Sequence, residues 1–97
     1  MAPYKAQIAA NHPALQGHFP GNPVVPGVVI LDHVLRAARI NNAGAVFSSV
    51  KFISPLKPGE TFAVDTAAGR DGRMHFTVSV GERGIATGSL PASENAL

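Results

Sequence analysis

The sequence predicts an α+β fold in which one central helix is wrapped by an antiparallel sheet of about five strands. One stretch, residues 28–40, lacks glycine and proline and places its apolar side chains on one face of a helix. The chain that follows is divided by glycine- and proline-rich turns into stretches rich in β-branched and aromatic residues. With 97 residues, the chain is expected to form a single domain over residues 1–97.

The composition indicates a folded chain whose surface is partly covered by another subunit. Hydrophobic residues make up 45% and charged residues 14% of the chain, whereas disordered chains show low hydrophobicity and high charge. Globular chains carry about 25% charged residues, and a domain this small has a thin core. Terminal strands also leave open sheet edges, which a two-fold partner can cover. We therefore expect a homodimer or a higher oligomer.

Charge and cysteine content exclude several function classes. The chain has 8 Lys and Arg residues against 6 Asp and Glu, and the basic residues are scattered without interleaved aromatic residues, which argues against nucleic-acid binding. The absence of cysteine excludes disulfides and thiol chemistry. The first residues lack the pattern of a secretory signal, and the longest apolar run is far too short to cross a membrane. We expect a cytoplasmic protein without a membrane partner.

The first half of the chain predicts a strand, a loop and the helix. Polar and apolar side chains alternate over residues 4–10, as in a half-buried strand. Residues 13–26 contain four prolines and two glycines, too many for regular structure, and predict an ordered loop. The helix is predicted over residues 28–40, with a stop at the Asn-Asn-Ala-Gly of residues 41–44. Its polar face carries Asp32, Arg36 and Arg39.

The second half of the chain predicts four more strands, at residues 45–53, 61–68, 74–80 and 85–90. The glycine-containing tetrads at residues 69–72 and 81–84 are typical of hairpin turns. Residues 91–97 are small and polar, and we expect them to fray.

The loop and the helix together supply the parts of an acid–base site. His18 lies in the proline-rich loop, where little entropy is lost when the chain orders, and Asp32 lies on the helix that follows. The helix N-terminus at Gly27 offers N–H groups without helical acceptors and a partial positive charge. A base, an acid and an oxyanion donor are the groups needed to remove a proton next to a carbonyl.

This segment resembles a known family. The His-Phe-Pro at residues 18–20, the Pro-Val at 23–24, the Pro-Gly at 26–27 and the acidic Asp32 in the apolar helix resemble the signature of the hotdog-fold 3-hydroxyacyl-[acyl-carrier-protein] dehydratases (FabZ/FabA-like) of fatty-acid biosynthesis. The chain is similar in particular to the short dehydratase-like proteins of aryl-polyene and polyketide clusters.

A second, weaker match follows the helix, so that the resemblance covers residues 16–60. It consists of Lys-Phe at residues 51–52, Pro55 and Pro-Gly-Glu at 58–60.

The resemblance implies a lyase that converts 3-hydroxyacyl thioesters on acyl carrier protein into trans-2-enoyl thioesters, with no metal or organic cofactor. His18 would be the base that removes the proton from C2, and Asp32 the acid that protonates the departing 3-hydroxyl. The backbone N–H of Gly27 would polarise the thioester carbonyl. In this family the histidine and the acid of one site come from different subunits of a dimer. Four apolar residues are candidates for the wall of an acyl tunnel, although each is equally typical of a core: Phe19, Val24, Val25 and Phe52.

Arg36 departs from the family pattern, in which glutamine commonly stands four positions after the acid. On a helix, Asp32 and Arg36 are spaced to form an ordinary solvent-facing ion pair. Such a pair would favour the ionised carboxylate and make Asp32 a weaker proton donor. Two alternatives stay open, of which Arg36 bears on the second. One is a hotdog thioesterase that uses Asp32 to activate water, against which the His-Phe-Pro motif argues; the other is a catalytically silent acyl-binding subunit that pairs with an active homologue.

The remaining histidines do not predict a metal site. His12 and His33, combined with His18 and Asp32, have spacings that fit no familiar ligand pattern. His33 is expected either to pack beside the helix or to contact the substrate, and His75 to be structural.

Overall fold

The computed structural model describes residues 4–9, 11, 24–39 and 47–91. These residues form one helix and five strands: β1 (Tyr4–Gln7), α1 (Gly27–Ala37), β2 (Ser49–Phe52), β3 (Thr61–Ala68), β4 (Arg73–Val80) and β5 (Arg83–Pro91). The strands form one antiparallel sheet in the order β1-β3-β4-β5-β2. The predicted helix with a five-stranded antiparallel sheet is confirmed.

Two tight turns connect the three longest strands, as the glycine tetrads predict. The β3–β4 turn contains Gly72 with φ +79°, and the β4–β5 turn contains Gly81 with φ +58°. Both values lie in the left-handed region that glycine adopts without steric cost. The pairing of β4 with β5 shifts its register between Val78 and Ser79, close to the second turn.

The core lies between α1 and the sheet. Ile30 and Val34 are the buried helix residues, and their spacing of four places them on one helical face. They pack with buried residues from the strands and from the segments that flank the helix: Ile8, Val25, Leu56, Phe62, Val64, Phe76, Val78, Ile85, Ala86 and Leu90. The opposite face exposes Asp32, Arg36 and Arg39, so the amphipathic pattern is confirmed.

Two elements end earlier than predicted. β1 ends at Gln7, because the carbonyl of Ile8 accepts a hydrogen bond from the N–H of Gly59 at 2.9 Å instead of continuing the ladder. α1 ends at Ala37, because Arg39 turns into the left-handed region with φ 61°. This left-handed residue precedes the predicted stop at residues 41–44, which lies outside the described residues.

β2 is shorter than predicted, since it begins at Ser49. Phe47 and Ser48 precede it without strand geometry, and residues 45 and 46 lie outside the described part of the chain. The predicted loop is described only from residue 24 onwards, and of the predicted tail only residue 91 is described, as the last residue of β5.

The turn between β2 and β3 supports the start of the helix. Val25, two residues before α1, donates its N–H to the carbonyl of buried Leu56 at 2.8 Å. The Glu60 carboxylate closes the turn, because it accepts hydrogen bonds from the Lys57 N–H and from the Arg83 guanidinium, both at 2.8 Å. The turn is thereby tied to β5, and the residues leading into α1 are tied to the turn.

The Glu60 carboxylate makes the stability of the fold depend on pH. The hydrogen bond from Arg83, followed by that from the Lys57 N–H, lowers the pKa of Glu60 below its ordinary value of 4.5. A carboxylate whose pKa is lower in the folded state stabilises the fold above its unfolded pKa, and this contribution is lost as the pH falls through the folded pKa.

Glu60→Gln is therefore expected to lower Tm at pH 7 by about 2 to 5 °C, because neutral hydrogen bonds replace charge-assisted ones. The difference from the wild type should shrink as the pH falls below 4.5 and through the lowered pKa of Glu60 in the folded state, where the wild-type carboxylate becomes protonated. Thermal melts followed by circular dichroism between pH 7 and pH 3 measure this. Glu82→Gln, at an exposed position in the β4–β5 turn, is the control. A Tm difference for Glu60→Gln that is constant with pH would contradict the assignment.

Candidate functional site

The helix begins directly at the predicted oxyanion position. Pro26 precedes α1 in an extended conformation, and its carbonyl accepts the hydrogen bond from Val29 N–H at 3.0 Å. The N–H groups of Gly27 and Val28 therefore belong to the first turn, where helices have no internal acceptor for them. The first turn carries no acidic residue, so no carboxylate of that turn neutralises its partial positive charge.

An aromatic side chain covers this helix start. A Cβ atom added to Gly27 would lie 2.7 Å from Cζ of Phe52, so only glycine allows the ring to approach this closely. Phe52 is still 51% exposed, and next to it in sequence Ile53 is 55% exposed. The start of α1 thus combines backbone N–H groups with exposed apolar surface.

An open cleft of about 480 Å³ runs between α1 and the end of β1. It is lined by seven residues: Gln7, Ile8, Val28, Val29, Asp32, His33 and Arg36. Apolar side chains from the helix start and polar side chains from its middle therefore share one concave surface.

Asp32 lies in this cleft as half of an ion pair. Its Oδ2 is 2.9 Å from Nη2 of Arg36, and the two side chains are 55% and 62% exposed, respectively. The predicted solvent-facing pair is confirmed. Exposed helical pairs of this spacing contribute only about 0.3–0.5 kcal/mol, so the pair holds the two side chains together only weakly.

His33 is held next to Asp32 by contacts from two strands. Its Nδ1 is hydrogen-bonded to the hydroxyl of Tyr4 on β1 at 2.7 Å. Its ring meets the Phe62 ring on β3 edge-on, with centroids 5.3 Å apart. Of the two expectations for His33, packing beside the helix is observed, and the same side chain also contributes to the cleft wall.

Sequence reasoning missed Tyr4 and Gln7 as residues near the site. Both belong to β1, and no motif surrounds them. Gln7 lines the cleft and Tyr4 contacts His33 of the cleft wall, because β1 pairs with β3, opposite Val64 and Thr61. A single sequence gives no local signal for that pairing.

The structure describes only some of the predicted site residues. His18 and Phe19, and also His12, lie outside the described residues, so the pairing of His18 with Asp32 stays a prediction. Of the candidate tunnel residues, Val25 is buried in the core and Val24 is half-buried.

No group of three metal-ligating side chains occurs among the residues that the structure describes. His75 lies on β4 and contacts Asp71 of the β3–β4 turn at 3.2 Å. The Arg73 N–H, followed by His75, lowers the pKa of the Asp71 carboxyl, which fits a structural role in that turn. The expected absence of a metal or cofactor stays a prediction. Within the described part of the chain, no helix has the length and apolar character needed to span a membrane.

Comparison with known proteins gives the family. Residues 2–89 match the model of the ApeI-like family, described as ApeI dehydratase. The chain belongs to the ApeI-like dehydratase family. Its five-stranded antiparallel sheet packed on one helix is the hotdog fold, as the sequence resemblance implies.

Curated relatives of this ApeI-like chain are 3-hydroxyacyl-[acyl-carrier-protein] dehydratases named FabZ. The protein of Thermomicrobium roseum is 31% identical over 74 residues, which cover 65% of this chain and 50% of the relative. That of Chlamydia trachomatis is 29% identical over 100 residues, which cover 86% of this chain and 65% of the relative. The ApeI-like chain thus spans about half to two thirds of the length of these relatives.

Solved structures agree with this assignment. A structure described as the dehydratase heterocomplex ApeI:P from Xenorhabdus doucetiae superimposes with a TM-score of 0.71 at 27% identity, and the match covers 90% of the ApeI-like chain and 81% of the other. An uncharacterised protein from Erwinia carotovora subsp. atroseptica also gives a TM-score of 0.71, at 26% identity, with 92% and 79% coverage.

Proposed function

We propose that this ApeI-like protein dehydrates 3-hydroxyacyl thioesters, carried by acyl carrier protein in the cytoplasm, to trans-2-enoyl thioesters. The observation that carries the proposal is the placement of Asp32. It lies in an open cleft on a helix that starts at the family's Pro-Gly, with an ion pair too exposed to hold it firmly. A carboxyl group in this setting is accessible to a hydroxyl on a bound acyl chain.

In the proposed reaction His18 removes the proton from C2 of the acyl chain, and the electron pair of that bond forms the C2–C3 double bond. The C3–O bond breaks, and the hydroxyl leaves as water after it receives a proton from Asp32. Negative charge that develops on the thioester oxygen is stabilised by the N–H of Gly27 at the start of α1. The proton then on His18 returns to Asp32 before the next turnover.

The proposed active form is a homodimer joined at the β2 edge of the sheet. β2 is a terminal strand of the five-stranded order, and exposed Phe52 and Ile53 lie at its end. An exposed apolar edge strand is a surface that native proteins usually cover. In such a dimer, His18 of one subunit would act together with the Asp32 of the other, as the family resemblance implies.

A second candidate function is a catalytically silent acyl-binding subunit. The Asp32–Arg36 ion pair at 2.9 Å favours it, because the carboxylate already has a cationic partner on its own helix. The related structure described as a dehydratase heterocomplex supports an assembly with a second, different chain in this case.

Product analysis tests these proposals. The protein is incubated with a 3-hydroxyacyl-acyl carrier protein and, in parallel, with the corresponding coenzyme A thioester, and the products are followed by mass spectrometry. We expect the loss of one water from the acyl group, faster on the carrier protein. Release of the free acid would instead show a thioesterase, and an unchanged substrate would overturn the dehydratase proposal in favour of the silent subunit.

A further inference from the structure

The hydrogen bond between Tyr4 and His33 links the first strand to the middle of the helix. The two residues are 29 positions apart in the chain, and their hydroxyl and Nδ1 atoms lie 2.7 Å apart in a partly buried setting. The two rings are also neighbours, with centroids 5.8 Å apart, and the Phe62 ring meets the His33 ring edge-on, with centroids 5.3 Å apart. The orientation of His33 is therefore fixed from β1 and β3 together.

Asp32, one residue earlier on α1, lacks a comparable anchor of its own. Its side chain is 55% exposed, and the Arg36 side chain that pairs with it is 62% exposed. Exposed ion pairs of this kind hold their partners weakly. The buried contacts of α1 come from Ile30 and Val34, which lie on the opposite side of the helix from the Asp32 side chain. On the cleft side, the hydrogen bond from His33 to Tyr4 ties the helix to β1.

We infer that Tyr4 is a positioning residue that acts through His33 to hold Asp32 in the cleft. This inference rests on the proposed dehydratase function. A displacement of about 1 Å of a catalytic group can lower a rate by up to about 100-fold. The Tyr4 bond resists a rotation or shift of α1 that would move Asp32 relative to the substrate hydroxyl. Tyr4 itself contacts no substrate in this arrangement.

Tyr4→Phe is the first test, because it removes the hydroxyl and keeps the ring that packs on His33. We expect kcat for dehydration to fall about 5- to 10-fold and KM to stay within about twofold. The substitution disturbs the position of Asp32 in the transition state but leaves the binding of the substrate unchanged. Thr87→Val is the matched control. It removes another partly buried hydroxyl, which donates to the Phe76 carbonyl at 3.0 Å, from a strand at the other side of the sheet.

Two substitutions of His33 separate a positioning role from a substrate contact. Asn places an oxygen near the position of Nδ1 and can still accept a hydrogen bond from Tyr4, whereas Gln places its amide near Nε2. We expect His33→Asn to keep kcat within about threefold of the wild type, and His33→Gln to lose at least as much as Tyr4→Phe. The double variant Tyr4→Phe with His33→Gln should lose no more than His33→Gln alone. The reverse order of Asn and Gln would overturn the inference.

An activity-independent measurement separates this inference from the proposed function. Amide hydrogen exchange of Asp32 and His33, followed by NMR, should be several-fold faster in Tyr4→Phe than in the wild type and in Thr87→Val. If the wild type dehydrates the thioester but Tyr4→Phe keeps its kcat, the inference fails and the proposed function stands. If the wild type is inactive, the proposed function fails; the link from Tyr4 to the Asp32 backbone is then supported by faster exchange and refuted by unchanged exchange.

Discussion

Asp32→Asn and His18→Ala are each expected to lower kcat for dehydration by about 100- to 10,000-fold, the range that a positioned acid or base contributes. Asn keeps the size and polarity of Asp but has no proton to give to the leaving hydroxyl. The fold should be unaffected, because the ion pair lost with Asp32 is exposed and contributes only about 0.3–0.5 kcal/mol. The rate is measured as the formation of enoyl thioester by mass spectrometry.

Two control variants isolate the proton donor. Arg36→Gln removes the same 2.9 Å ion pair but leaves the carboxyl group, so it should lose far less activity than Asp32→Asn. Asp65→Asn removes an exposed carboxylate from β3 and should have no effect on kcat. If Asp32→Asn dehydrates at the wild-type rate, Asp32 is a surface charge paired with Arg36, and another group must protonate the hydroxyl.

The parts of the fold that local sequence determines could be predicted well. β3 was expected at residues 61–68 and runs from Thr61 to Ala68. Its limits are set by nearby turn residues, namely Gly59 with φ +87° on one side and the turn ending in Gly72 on the other. The Asp32–Arg36 ion pair is equally local, because residues four apart on a helix are neighbours wherever the helix lies.

Limits that depend on distant contacts could not be predicted in this way. The period-2 pattern continues past Gln7, but the carbonyl of Ile8 bonds to Gly59, far along the chain, and the strand stops there. The end of α1 could not be predicted for a different, local reason. Arg39 adopts φ 61°, a conformation that is unusual for a residue with a Cβ atom, whereas the asparagines and the glycine that follow are the residue types that usually end a helix.

The same distinction applies to the candidate site. Gly27 and Asp32 were identified because one motif and one helix carry them. The covering of Gly27 by Phe52 depends on where β2 ends relative to the helix start, and the contact of Tyr4 with His33 depends on the pairing of β1 with β3. Both contacts depend on the order of the strands in the sheet, and no short segment of the sequence specifies that order.

Subunits that carry His18→Ala and Asp32→Asn, each inactive alone, are expected to restore activity when mixed. If each site takes His18 from one subunit and Asp32 from the other, a heterodimer has one site with both groups intact and one site that lacks both. Random exchange of equal amounts makes half of the dimers mixed, so the mixture should reach about a quarter of wild-type activity. If both groups come from the same subunit, every site in every dimer lacks one group.

The experiment compares the two single-variant samples with a sample made by coexpression or by unfolding and refolding the variants together. Two different affinity tags allow the heterodimer to be purified, and its activity should then rise to about half that of the wild type. A mixture no more active than its components would show that each subunit contains its own complete site. The exposed Phe52 and Ile53 at the end of β2 would then join subunits for stability alone, since removing apolar surface from water stabilises a dimer whether or not its sites are shared.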